Sequence, residues 1–234
     1  RQGDAAGAQK ELERLTKQAP DSPELKASRN EMKSNTGEGR QALQQARLLG
    51  VAGKVDEAIA AYEKLYGGVP DDVDVAIEYW TLVARLPARH SEGVSQLKKL
   101  NASAPGNVSL LTSLAKQMFA DNKPQEGFAY LAEMARSASG RGIAADMWFS
   151  EVKSMPVSKA SVQALQQFLL QFPTGSVAAN ARVLLDQQQA QLQDPTFRAR
   201  SEGLAAVKSG NTTQAVADLQ KAVQADSRDS DAVG

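Results

Sequence analysis

The chain has 234 residues, with 27 basic and 27 acidic side chains and no cysteine. Zero formal charge withholds the positive field that a nucleic-acid binder uses, and the missing thiols exclude disulfides and thiolate chemistry. Aromatic residues are 5% of the chain against 42% hydrophobic residues in all, so alanine and leucine have to build the core, and both favour helices.

No stretch reaches the roughly 18 consecutive apolar residues of a membrane-spanning helix, and Arg1 to Ala8 lacks the apolar segment of a signal peptide. Helix-spaced apolar residues then recur along the chain. Gly3, Ala8, Leu12, Leu15 and Pro20 mark the second helix of a pair whose first helix is missing. Ser22 to Lys33, with Pro23 in its first turn, predicts an additional helix. A first helix follows over Gly39 to Ala52, with Ala42, Ala46 and Leu49 inward, and a second starts near Val55 with Ala58, Tyr62 and Leu65, stopped by Pro70. The next pair joins Val73 to Leu86, turning Ile77, Trp80 and Ala84 inward, to a helix marked by Gly93, Leu97, Leu100 and Pro105. Val108 to Ala120 uses Leu111, Leu114, Ala115 and Met118, and its partner carries Gly127, Leu131 and Met134. Gly142 to Lys153 uses Ala145, Trp148, Phe149 and Val152, and its partner carries Ser161, Leu165 and Phe168 before Pro173. A second additional helix is expected over Ser176 to Gln193, ending before Pro195. The last pair joins Thr196 to Ser209, with Ala199, Gly203 and Ala206, to a helix marked by Gly210, Ala215, Leu219 and Ala222.

Gly93, Gly127 and Ser161 are 34 residues apart in turn. The small residue lets two helices of a pair cross closely, and the larger ones fill the groove against the next pair. Two steps are too long: Ala8 to Ala58 is 50 residues and Ser161 to Ala215 is 54, each in excess by about one helix.

The period, the small–large–large–Pro order and the helix pairing resemble the tetratricopeptide repeat family, over about 190 of the 234 residues. The resemblance implies an all-α, right-handed superhelical solenoid, here interrupted by two unpaired helices. The expected layout is a partial first repeat over 1–20, an extra helix and linker over 21–38, and four tandem pairs over 39–173. An extra helix over 174–195, a final repeat over 196–227 and the start of a truncated next repeat over 228–234 complete it. A change of direction is expected at each extra helix. Neither end carries the polar cap of a complete solenoid, so the chain reads as a fragment of a longer protein.

The text at Leu49–Gly68, Leu169–Leu185 and Gly210–Gly234 also resembles the periplasmic repeat region of the bacterial outer-membrane cellulose-export family. That resemblance implies a non-catalytic periplasmic scaffold linking the synthase to an outer-membrane pore. Its implied partners are other subunits of the cellulose synthase complex, the C-terminal outer-membrane barrel of the same full-length protein, and the cellulose chain or peptidoglycan. The alternative is a general protein–protein interaction repeat module of another multiprotein assembly.

In the repeat family the first helix of each pair faces a groove. Groove residues not required for packing are read as Gln44, Arg47, Tyr79, Arg85, Lys116, Phe119, Asp146, Met147, Lys153 and Arg200, with Tyr79 and Phe119 placed to stack on sugar faces. The bland alternative is the ordinary surface of a spacer. Trp80, Trp148 and Tyr62 are read as core. No matched Asn and Lys or Arg set for a peptide carboxylate clamp is found.

The sequence offers little for catalysis. His90, the sole histidine, reads as a solvent-exposed residue of a short connection, too few for a metal site or a serine–histidine pair. The segment Asn35–Arg40 has no phosphate-loop lysine, and repeat scaffolds rarely present the facing carboxylate pair that glycoside hydrolysis needs. No cofactor or metal is implied.

Overall fold

The computed structural model describes residues 36–226, together with Gly7, Lys10, Arg14, Lys17 and Ser28. The rest of residues 1–35, with the expected helix over Ser22 to Lys33 apart from Ser28, and the segment 228–234 lie outside the described residues. Within them the protein is all α-helix, with one short 3₁₀ turn and no strand. The helices are α1 (Gly37–Val51), α2 (Val55–Tyr66), α3 (Val73–Val83), α4 (His90–Ser103), α5 (Val108–Ala120) and α6 (Pro124–Met134). They continue with α7 (Ala138–Ser154), α8 (Lys159–Gln171), α9 (Ser176–Gln193), α10 (Pro195–Lys208) and α11 (Thr212–Asp226). The chain forms two compact units, residues 1–137 and 138–234.

Local chemistry sets the helix ends. Thr36, Asp72 and Asn107 each accept the N–H of the residue three positions on, at 2.9, 3.0 and 3.1 Å, and so cap α1, α3 and α5. Gly67 closes α2 in the left-handed conformation (φ 72°), its N–H reaching the Glu63 carbonyl at 2.7 Å. Helix α3 stops at Val83, short of the expected Leu86. Pro87 forces Leu86 into an extended backbone, and the Arg85 and Leu86 N–H groups bond only three residues back.

In the first unit α1 packs on α2, α3 on α4 and α5 on α6, and successive pairs meet through α2 with α3, α4 with α5, and α3 with α5. The crossing residues Ala58, Gly93 and Gly127 are all buried, as are Tyr62, Leu97, Leu131 and Met134 behind them. Gly93 is the tightest crossing: a Cβ there would lie 2.4 Å from the Ala84 nitrogen and 2.7 Å from its Cα. The core runs through Ala46, Ile77, Trp80, Val83, Leu110 and Leu114. Burying each such leucine contributes about 1.5–3 kcal/mol. Ala42, expected inward, is exposed; α1 instead buries Gly39, Ala46 and Gly50, which lie along one side of the helix.

In the second unit α7, α8 and α9 pack on one another, α9 also meets α10, and α10 pairs with α11. Helix α9 adds a third partner to the α7–α8 pair. It is joined by a polar core contact: the Ser161 hydroxyl and the Gln188 Oε1 lie 2.7 Å apart, with both residues buried. Ser161 stands where the earlier crossings have alanine or glycine. Its hydroxyl also completes a capping box with Ser158 at the start of α8. Trp148, expected as core, is half-buried and meets Phe172 edge-on at 5.8 Å between ring centres.

Candidate functional site

The face of the first helices, read from the sequence as a groove, is in large part already used within the chain. Gln44, Glu78 and Thr112 recur at the repeat interval on α1, α3 and α5. On this face Arg47 of α1 donates both a Nε and a Nη bond to Glu78 of α3, each at 2.8 Å. The Tyr62 hydroxyl donates to the same carboxylate at 2.7 Å. Arg85 donates to the Gly50 carbonyl at 3.0 Å, and Thr81 to the Ser113 hydroxyl at 2.9 Å. These contacts rivet successive first helices side by side. Glu78 draws the Arg47 pKa upward, as a bound carboxylate does to a guanidinium.

A second bond mirrors the first. The Tyr79 hydroxyl donates to Glu63 at 2.7 Å, so two adjacent residues on α2 (Tyr62, Glu63) cross with two adjacent residues on α3 (Glu78, Tyr79). Burial pushes both phenols above their ordinary pKa, and the neighbouring carboxylates push further in the same direction. Tyr79 also stacks edge-on with Trp80, 4.9 Å between ring centres.

This geometry corrects the reading of Tyr79 and Phe119 as open stacking faces. Tyr79 is 1% exposed and cannot reach a ligand. Phe119 is half-buried against Phe128, 5.1 Å between ring centres, and its ring fills the space above the missing side chain of Gly127. All twelve aromatic residues are in fact buried or half-buried. Gln44 and Lys116 in the first unit remain exposed, as do Asp146, Lys153 and Arg200 in the second; Met147 is half-buried. None of them lines either of the two cavities described for this chain.

His90 also departs from expectation. It begins α4 and is half-buried, with Nδ1 2.6 Å from the Ala84 carbonyl oxygen. Its Nε2 lies 2.7 Å from Asp121, close enough for an ion pair although off the line of a good hydrogen bond. Beside it lies an open cavity of about 600 Å³ lined by residues that include Ser91, Ser95, Lys98, Lys99 and Lys123. Lys98 is taken up by Glu126 at 3.0 Å, which raises its pKa, and Lys123 lies 3.6 Å from Asp121. Near the end of the chain Asp218 accepts from Gln214 at 2.7 Å and Lys221 at 3.0 Å, which hold its carboxyl below the usual range.

Glu78, Glu63, Asp121 and Gln188 escaped the sequence reading. The mirrored dipeptides Tyr62-Glu63 and Glu78-Tyr79, sixteen residues apart, were the one available signal. No group of three or more metal-ligating side chains gathers among the described residues. No described helix is long and apolar enough to cross a membrane.

No family model matches the chain. The cellulose synthase operon protein C of Salmonella typhimurium is 50% identical over all 234 residues, and that of Escherichia coli is 50% identical over the same span. The chain covers 20% of the length of each of these relatives. Among solved structures it is similar to the crystal structure of a flexible tandem repeat domain from a bacterial cellulose synthase. That match has 51% identity and a TM-score of 0.61, covering 82% of this chain and 79% of the other. With half its residues shared with these relatives and with that repeat domain, the chain belongs to the cellulose synthase operon protein C family, within its tandem-repeat region.

Proposed function

We propose that this chain is a non-catalytic periplasmic scaffold of the cellulose synthesis and export machinery. It spaces the synthase from the outer-membrane pore and docks protein partners. Those partners are other synthase subunits and the C-terminal barrel of the full-length protein, with the glucan or peptidoglycan passing close by. The layout belongs to the same proposal: four tandem pairs over 39–173, extra helices at 21–38 and 174–195, a final repeat over 196–227 and the opening of another at 228–234. Each extra helix redirects the array.

The observation that carries this reading is the fate of the aromatic residues. A protein that grips a glucan needs flat apolar rings open to solvent. Here every described ring is buried or half-buried, while the exposed positions Gln44, Lys116, Asp146, Lys153 and Arg200 are polar. Dispersed polar ends on the helices of each unit suit docking to protein surfaces.

Titration of the chain with soluble cello-oligosaccharides is expected to leave its amide chemical shifts unchanged at millimolar ligand. Saturable binding, weakened by Gln44→Ala or Lys116→Ala, would replace the scaffold with a glucan-binding module. In the full-length protein, Lys116→Glu together with Lys153→Glu is expected to reduce co-purification with synthase subunits and cellulose export. Unchanged co-purification would remove these two residues from the docking face.

A further inference from the structure

The second unit holds a small cavity of about 290 Å³ where the surplus helix α9 meets α8 and α10. Six residues line it: Lys159 at the start of α8, Leu192 near the end of α9, and Phe197, Arg198, Ser201 and Glu202 on α10. Ser201 and Glu202 follow Phe197 and Arg198 by four positions each, which puts all four on one side of that helix. Leu192 and Phe197 are half-buried and supply apolar lining, and the four polar residues are exposed around it. The side chains of Lys159, Arg198, Ser201 and Glu202 make no hydrogen bond or ion pair with any other described residue.

The walls are held in place by contacts outside the cavity. The buried Ser161–Gln188 bond ties α8 to α9 two residues from Lys159 and four residues from Leu192. Asp194 caps α10 by accepting the Thr196 N–H at 2.8 Å, and Pro195 fixes the backbone of its first turn. The cavity therefore exists before any ligand arrives, which lowers the cost of binding.

Its size sits at the lower end of the range for small-ligand pockets, roughly 300–1,000 Å³, so it takes one or two residues and no helix. Two unpaired cations beside an apolar wall call for a carboxylate attached to a compact apolar group. Glu202 and Ser201 next to them call for an amide N–H. The last residue of a polypeptide carries all three groups, whereas a neutral glucan has no carboxylate. We propose that this cavity binds the carboxy-terminal residue of a partner polypeptide that ends in a compact apolar side chain. Arg198 and Lys159 hold the carboxylate, Phe197 and Leu192 cover the side chain, and Glu202 accepts the amide N–H. The site lies at the surplus helix, and its ligand does not depend on which machinery the scaffold serves.

The test uses the whole 234-residue chain, labelled with ¹⁵N, and the probe acetyl-Ala-Leu as free acid and as C-terminal amide. The acid is expected to give saturable shifts at the Ser201 and Glu202 amides in the millimolar range. The amide should bind at least about tenfold more weakly, since it loses the charge-assisted bonds. Arg198→Ala and Lys159→Ala should each weaken the acid about tenfold, and Arg198→Lys should restore part of the loss. These residues are exposed, so the variants fold; an unchanged circular dichroism spectrum checks this. Equal binding of acid and amide, no shift at millimolar acid, or shifts that persist in the Arg198→Ala, Lys159→Ala double variant would each overturn the proposal. A response to cello-oligosaccharides, in the chain or in those variants, would count against the scaffold reading and not against this site.

Discussion

Glu78 accepts three hydrogen bonds from two helices, two from Arg47 and one from Tyr62. Arg47 is half exposed, so water screens its share and the pair contributes little. The Tyr62 hydroxyl is different, because the residue is only 1% exposed and no water replaces a lost acceptor. Glu78→Ala is therefore expected to cost about 1–3 kcal/mol in urea denaturation, and Glu78→Gln, which keeps an acceptor, less than half of that. The phenols add a pH dependence. Tyr62 and Tyr79 are both raised above 10.0 in the folded chain, by burial first and by their carboxylate partners second. A group raised on folding contributes its full stability below the unfolded pKa and loses it as pH climbs through the folded one. The urea midpoint should be insensitive to these phenols up to about pH 10 and fall above it. The Tyr62→Phe, Tyr79→Phe variant should fall less steeply over the same range. In the second unit, Ser161→Ala leaves the Gln188 amide buried without its partner and should cost about 1–3 kcal/mol. Adding Gln188→Leu to it should recover much of the loss, since removing both polar partners removes the unmet need.

At the scale of the helix, the crossings decide tolerance. A Cβ at Gly93 would meet backbone atoms of Ala84 at 2.4–2.7 Å, which only a shift of α4 against α3 relieves. Gly93→Ala should destabilise by about 1–3 kcal/mol or more. Gly127→Ala meets the edge of the half-buried Phe119 ring at 2.6 Å, which turns aside more cheaply, so its loss of melting temperature should be smaller. Trp80→Ala empties a buried site and should cost about 3–5 kcal/mol, and Trp148→Ala, half-buried, clearly less. The same crossings explain what was legible beforehand. Gly93, Gly127 and Ser161 recur at a fixed interval because close approach tolerates only small residues, and spacing alone reveals such a constraint. Polar partnerships leave no period. Neighbouring positions on a helix differ by 100° in direction, and that turn decides whether a ring is presented or packed. Phase could not show that Tyr79 bonds to Glu63 sixteen residues earlier, or that His90 is drawn against Asp121 by the fold of the following pair. Gln188, one of a run of glutamines, carried no mark of being the buried one. The resemblance could not tell Arg47 and Arg85, which rivet helices, from Gln44 and Lys116, which make no such contact.

At the scale of the whole chain, the division into two compact units matters more than any single contact. In a repeat array, stability is close to a sum of local terms between neighbours. Glu78 and Ser161 lie in different units and share no bonding partner. The free-energy cost of Glu78→Ala plus Ser161→Ala should therefore equal the sum of the single costs within about 0.5 kcal/mol, measured by urea denaturation. Each unit also carries its own reporter. The chain has two tryptophans, Trp80 packed edge-on to Tyr79 in the first unit and Trp148 against Phe172 in the second. Replacing either with phenylalanine leaves a single indole whose emission follows one half of the molecule. The two optical channels thus built into the sequence allow the order in which the halves melt, or respond to a bound partner, to be watched without attaching a dye.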